Sequence, residues 1–164
     1  MARVPVQMNR RWWLSLVLPV LLIGALGTGC GGGKQQVSAT ELDQKADQAC
    51  REEQTKFEQI QATPPASAPE AAEQTKELID VAKSASSAID DLEPPDALRT
   101  PLEIYLDARD RAIDQMKKGQ DAAENQDSKG YGEAQAAVVK SAPQRRKLAD
   151  SLGFKVCSAS ANAV

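Results

Sequence analysis

The 164-residue chain contains no histidine. That absence excludes haem ligation through imidazole, His-based zinc sites, Ser–His and Cys–His nucleophile pairs, and the Glu-x-x-His pattern of di-iron bundles. Aromatic residues are scarce at 4%. Trp12 and Trp13 stand in the N-terminal apolar run, which leaves Phe57, Tyr105, Tyr131 and Phe154 elsewhere. Four dispersed rings make no platform for stacking sugars or bases. Strand-like alternation and internal repeats are missing, and no apolar run reaches the ~20 residues of a spanning helix. Basic residues are outnumbered, 20 against 23 acidic, for a net charge of −3. An acidic chain is poorly matched to nucleic acid and to anionic lipid surfaces. No cofactor, no tightly held metal, no nucleic-acid partner and no catalytic activity are expected.

What is present begins with the N-terminal thirty residues, MARVPVQMNRRWWLSLVLPVLLIGALGTGC. Arg3, Arg10 and Arg11 stand there without an acidic neighbour, ahead of an apolar run over residues 12–26 that Pro19 and Gly24 interrupt. A basic start, a short apolar stretch and small residues beyond it make a signal peptide over residues 1–29. The end of this segment resembles a bacterial lipobox, in which small residues precede a cysteine that is lipidated and becomes residue one. Thr28 and Gly29 fit that pattern, and Cys30 is the expected acylation (palmitate) site. Gly27 departs from it, because Leu, Val or Ile is expected three residues before the cysteine and Leu26 stands four before. Ordinary cleavage after Ala25-Leu26-Gly27 is the competing route. The glycines at 31–33 favour lipidation, since a flexible tether over residues 30–38 suits a domain held just off a bilayer. NRRWWL also resembles a twin-arginine export signal, against an ordinary positive n-region. Loss of residues 1–29 takes three basic residues and no acidic one, moving the net charge to about −6. About 135 residues remain, enough for one domain with a modest core.

That domain, residues 39–157 with a tail over 158–164, reads as four amphipathic helices. The first is expected over residues 39–61, opened by a Ser38/Glu41 capping box. Leu42, Ala46, Ala49, Cys50, Phe57 and Ile60 share one face, and Glu41/Lys45, Asp47/Arg51 and Glu52/Lys56 stand as i,i+4 pairs. The second is expected over residues 68–92, with Ser67/Glu70 as its capping box. The third is expected to open at Thr100-Pro101-Leu102-Glu103, with a cap, a first-turn proline and a box partner in one tetrapeptide, and to end near Asn125. The fourth is expected over residues 129–152, with Gly153 as a left-handed C-cap and Phe154 packing back. Pro143 lies inside it, so a kink or break is expected there, with Ser141 and Gln144 able to cap a fresh start. The fold class is therefore all-α, an up-down-up-down four-helix bundle with an alanine-rich, thin core.

Candidate chemistry is sparse. Glu70, Glu73, Glu77 and Asp80, and then Asp107, Asp110 and Asp114, recur at helical spacing and could hold a hard cation. They interleave with lysine and arginine off the apolar faces, so solvated helix surfaces are expected. Glu53 falls on the first helix's apolar stripe between Ala49 and Phe57, and an edge position with its head group in water is expected, a buried carboxylate being the alternative. Ser84, Ser86 and Ser87 have no base to activate them. The Gly130-Tyr131-Gly132 stretch lacks the context of a phosphate loop.

The combination of Cys50 in the first helix, Leu92-Glu93-Pro94-Pro95 before the third, and Leu152-Gly153-Phe154-Lys155-Val156-Cys157 at the end resembles a group of small helical lipoproteins common in actinobacteria. The resemblance covers residues 40–157. It implies an exported four-helix domain with a bridge between its ends, and it brings no known activity. A Cys50–Cys157 disulfide also follows if Cys30 carries lipid, since two cysteines then remain in an exported chain. The tail after Gly153 must fold back along the first helix to make that bridge. The expected protein is a non-catalytic interaction or structural module of the cell envelope, lipid-anchored to the outer side of the cell membrane and open to an envelope protein partner. A small-ligand or metal-binding bundle is the alternative.

Overall fold

A computed structural model describes residues 35–159. The expected signal peptide, Cys30 and most of the tether lie outside the described residues. Within them the chain forms β1 (Gln35–Gln36), α1 (Ala39–Gln61), α2 (Ala68–Asp90), β2 (Leu92–Glu93), α3 (Asp96–Glu124), α4 (Ser128–Ser151) and α5 (Lys155–Ala159). The fold is predominantly α-helical. Among the described residues, no helix is long and apolar enough to cross a membrane.

Local chemistry explains most boundaries. Ser38 Oγ accepts from the Glu41 amide at 3.2 Å while Glu41 Oε2 accepts from the Ser38 amide at 2.9 Å, closing the capping box of α1. At α2 the box is displaced by one residue. Ser67 Oγ accepts from Glu70 N, but the Glu70 carboxylate reaches Ala66 N at 2.8 Å. This helix ends two residues earlier than the sequence pattern implies, because Leu92–Glu93 turn into a parallel pairing with Gln35–Gln36. Val37 N donates to Glu93 O at 3.0 Å, and the Val37 side chain is buried. The end of the expected tether is thus docked on the domain, since burying one valine and pairing its backbone outweighs the freedom of a few residues.

One expectation about proline needs correction, and in a second, one of its two alternatives falls. The third helix starts at Asp96, directly after Pro94–Pro95, and Pro101 lies inside it. The amide that Pro101 lacks would have served the carbonyl of Ala97, an exposed residue in the first turn. Leu98 and Leu102, one turn apart, hold this extra turn against the core. In the fourth helix there is no break at Pro143: α4 runs continuously from Ser128 to Ser151. Ser141 makes no new start there, and its hydroxyl donates to Val138 O at 2.9 Å.

The end of α4 behaves as the sequence implies. Gly153 has φ +92°, Phe154 N donates to Ala149 O and Gly153 N to Asp150 O, both at 3.0 Å, forming a Schellman motif. The chain then turns into α5, whose first amides are taken up by Asp47 on α1. One Asp47 oxygen accepts from Lys155 N at 3.1 Å; the other accepts from Val156 N at 2.8 Å and Cys157 N at 3.4 Å. Asp47 is therefore engaged with α5 instead of Arg51, and Glu52 accepts from Gln48 at 3.0 Å.

Each long helix packs on the next, α1 on α2, α2 on α3 and α3 on α4, while α5 lies against both α4 and α1. The apolar interior has three stations along the bundle. The largest, around Leu42, Ile89, Leu102, Tyr105, Leu152 and Phe154, holds both described cysteines. A second surrounds Phe57, Ile79, Ile113 and Met116. A third consists of Ala71, Ala72 and Ala123, with Tyr131 packed against it.

Candidate functional site

Between the first two apolar stations lies a polar layer drawn from three helices. Glu53 on α1, Ser86 on α2 and Arg109 on α3 are all buried, Arg109 completely. Arg109 Nη2 donates to Glu53 Oε1 at 2.9 Å and to the Ala82 carbonyl at 3.4 Å. Its Nε donates to Ser86 Oγ at 2.8 Å and its Nη1 to Tyr105 Oη at 3.3 Å. Helical spacing brings these groups together. Cys50, Glu53 and Phe57 share a face of α1; Ala82, Ser86 and Ile89 share one of α2; Tyr105, Arg109 and Ile113 share one of α3.

Burial raises the Glu53 carboxyl above its ordinary value, opposed by the charge and hydrogen bond of Arg109. Burial likewise works against the Arg109 charge, but Glu53 and Tyr105 outweigh it and hold the guanidinium protonated. The Tyr105 hydroxyl is pushed up by burial. A second arginine, Arg145 on α4, is 98% buried by area, since only 2% stays exposed. Its Nη1 and Nη2 donate to the Val138 carbonyl at 3.4 Å, and Nη1 also donates to Ser141 Oγ. Burial and the nearby Arg109 charge push Arg145 down to about 10.

The network abuts the disulfide. Cys50 and Cys157 are bonded with their Cα atoms 5.3 Å apart, across 107 residues of sequence. Tyr105 Oη stands 3.9 Å from Cys50 Sγ, and the Tyr105 ring meets Phe154 edge-on at 5.7 Å. Tyr105 therefore joins the bridge, the Schellman turn and the buried ion pair in one contact set. The route to the bridge is the one the sequence implies, with α5 folded back on α1.

The remaining sequence candidates fall elsewhere. Glu53 is not an edge residue with a solvated head; Arg109, which the apolar pattern passed over, holds it inside. Arg109 stands four residues after Tyr105 on the buried stripe of α3, and Arg145 stands between Ala142 and Ala149 on that of α4. That spacing is the signal that could have found them. Glu70, Glu73, Glu77, Asp80, Asp107, Asp110 and Asp114 are exposed. Asp107 and Asp110, with Asp90, Asp91 and Glu103, line a hollow of about 360 Å³ between α2 and α3. Among the described residues, no group of three or more Cys, Asp or Glu side chains converges as a metal centre. Ser84 and Ser87 are exposed, while Ser86 accepts a hydrogen bond from a cation, the opposite of activation by a base. Every buried side-chain nitrogen or oxygen among the described residues has a hydrogen-bond partner. Comparisons with protein-family models, curated proteins and solved structures give no match.

Proposed function

We propose that the chain is a lipid-anchored protein of the cell envelope whose up-down-up-down four-helix bundle serves as a non-catalytic interaction or structural module. The observation that carries this reading is the buried Cys50–Cys157 disulfide. Structural disulfides form and persist in oxidising, exported compartments. An exported chain agrees with the basic n-region and apolar run at its start, and pairing of two cysteines leaves Cys30 as the thiol for acylation. One acyl-glyceryl group with two chains supplies the two-chain anchoring that stable membrane attachment needs.

The non-catalytic part of the reading draws on the polar layer. Its acid, cation and hydroxyls are hydrogen-bonded to one another, an arrangement suited to holding helix register rather than to accepting a substrate's proton. The test is fractionation of cells expressing the full chain and its Cys30→Ala variant, followed by cross-linking of the intact envelope. The proposal expects wild type in the membrane fraction, the variant released, and a reproducible cross-linked protein neighbour. A variant that stays membrane-bound contradicts the anchor, and turnover of a substrate by the purified domain contradicts the module.

A further inference from the structure

We propose that a cleft between α3 and α4 is a binding site for a phosphate group. The cleft has a volume of about 250 Å³ and is lined by Ala108, Arg111 and Gln115 from α3 and by Ala137, Ser141, Gln144 and Arg145 from α4. The size falls just below the range of small-molecule sites and suits a single small polar group. Its lining chemistry is one-sided. Two arginines, two glutamines and a serine line the cleft, and no Asp or Glu does. Arg111 and Gln144 are exposed and Gln115 half-buried, while buried Arg145 and half-buried Ser141 bond each other and the Val138 carbonyl.

In an acidic chain this exclusion has a local cause. Arg111 has Asp107 and Asp114 as its helix-surface neighbours at i−4 and i+3. Asp107 lines the hollow on the α2 side, and Asp114 Oδ1 accepts from Lys117 Nζ at 2.7 Å. The α3 surface is thereby divided, with carboxylates toward α2 and Arg111 with Gln115 toward α4. Inside the bundle, Glu53 pairs with Arg109; at Arg145, burial and the Arg109 charge work against the guanidinium while Tyr105 and Glu53 favour it. An anion in the cleft lowers the cost of keeping Arg145 charged.

The donor layout selects the anion. A carboxylate is satisfied along one edge by a single planar fork, whereas donors on two facing walls match oxygens that point in several directions. A tetrahedral phosphate has such oxygens. The group could arrive as free phosphate, as a phosphomonoester or as a lipid headgroup, and the inference holds whether or not Cys30 carries lipid.

The test is calorimetric titration of the full-length chain with inorganic phosphate and, separately, with dihexanoyl phosphatidic acid as a soluble headgroup probe, at fixed ionic strength. Arg111→Glu removes a donor from the cleft, while Arg51→Glu makes the same charge change at an exposed position of α1. The expected result is saturable binding weakened about tenfold or more by Arg111→Glu, the worth of a charge-assisted hydrogen bond, and less than about twofold by Arg51→Glu. Gln144→Ala, also exposed, supplies a second cleft variant should Arg111→Glu unfold, and it is expected to weaken binding as well. Binding of inorganic phosphate identifies a free-phosphate site, and binding of the lipid probe alone identifies a headgroup site. Absence of saturable binding by both probes, or equal weakening by the Arg111 and Arg51 reversals, overturns the proposal.

Discussion

Replacing Arg109 by methionine isolates the energetics of the polar layer. Methionine fills much of the same volume, so the loss is mainly electrical and hydrogen-bonding. Glu53 is left 4% exposed without its cation, and Ser86 and Tyr105 lose bonds of 2.8 and 3.3 Å. Breaking a buried pair from one side costs about 3–5 kcal/mol. The carboxylate can limit that cost by taking up a proton. Its ordinary value is 4.5, and burial without Arg109 raises the folded-state value further. The charge-burial part is then capped at about 1.4 kcal/mol per pH unit above 4.5, or about 0.7 kcal/mol at pH 5 and about 3.4 kcal/mol at pH 7.

The direction follows from linkage. A carboxyl whose folded value is raised contributes stability that is complete below the unfolded value and is lost as pH rises through the folded one. Burial raises Glu53 in the wild type as well, so urea unfolding of Arg109→Met between pH 5 and pH 8 should show a penalty of about 3–5 kcal/mol at pH 7 that shrinks toward pH 5 by at most about 2–3 kcal/mol. Adding Glu53→Leu should remove the pH dependence and recover most of the loss. A penalty below about 1 kcal/mol at pH 7, or one independent of pH, refutes the reasoning.

Serine at both Cys50 and Cys157 opens a 107-residue loop; chain entropy sets the loss at about 4–5 kcal/mol, and differential scanning calorimetry should show the melting temperature lowered by about 15–20 °C. Asp47→Ala removes the acceptor of three α5 amides. It should cost about 1–2 kcal/mol and speed hydrogen exchange selectively at residues 155–157. Gly153→Ala places a Cβ about 3.1 Å from Asp43 Oδ2 at a backbone with φ +92°, and chemical denaturation should register a loss of at least about 1 kcal/mol.

Features governed by a few adjacent residues were legible in the sequence. Ser38 and Glu41 fix the start of α1, Gly153 and Phe154 fix the end of α4, and the two cysteines meet because the tail folds back on α1. Proline was over-read as a helix boundary, for one reason. Thr100-Pro101 carries the signature of a helix start, and Pro143 left a break as one of two expectations beside a kink, yet each proline loses only one backbone bond. At Pro101 the flanking Leu98 and Leu102 are anchored in the core, and at Pro143 the helix continues between buried Ala142 and Arg145. The polar layer was half legible. Glu53 stands out on an apolar stripe, but its partner lies 56 residues away and is itself charged, so a reading that counts only apolar residues passes over Arg109. Only the register of three packed helices brings them within 2.9 Å.

The central claim, an exported bundle held to a membrane through Cys30, is tested most directly by mass spectrometry of the N-terminal peptide of protein extracted from membranes. The account predicts a peptide beginning at Cys30 and carrying a diacylglyceryl group. An unmodified peptide beginning at Thr28, with Cys30 as a free thiol, contradicts it.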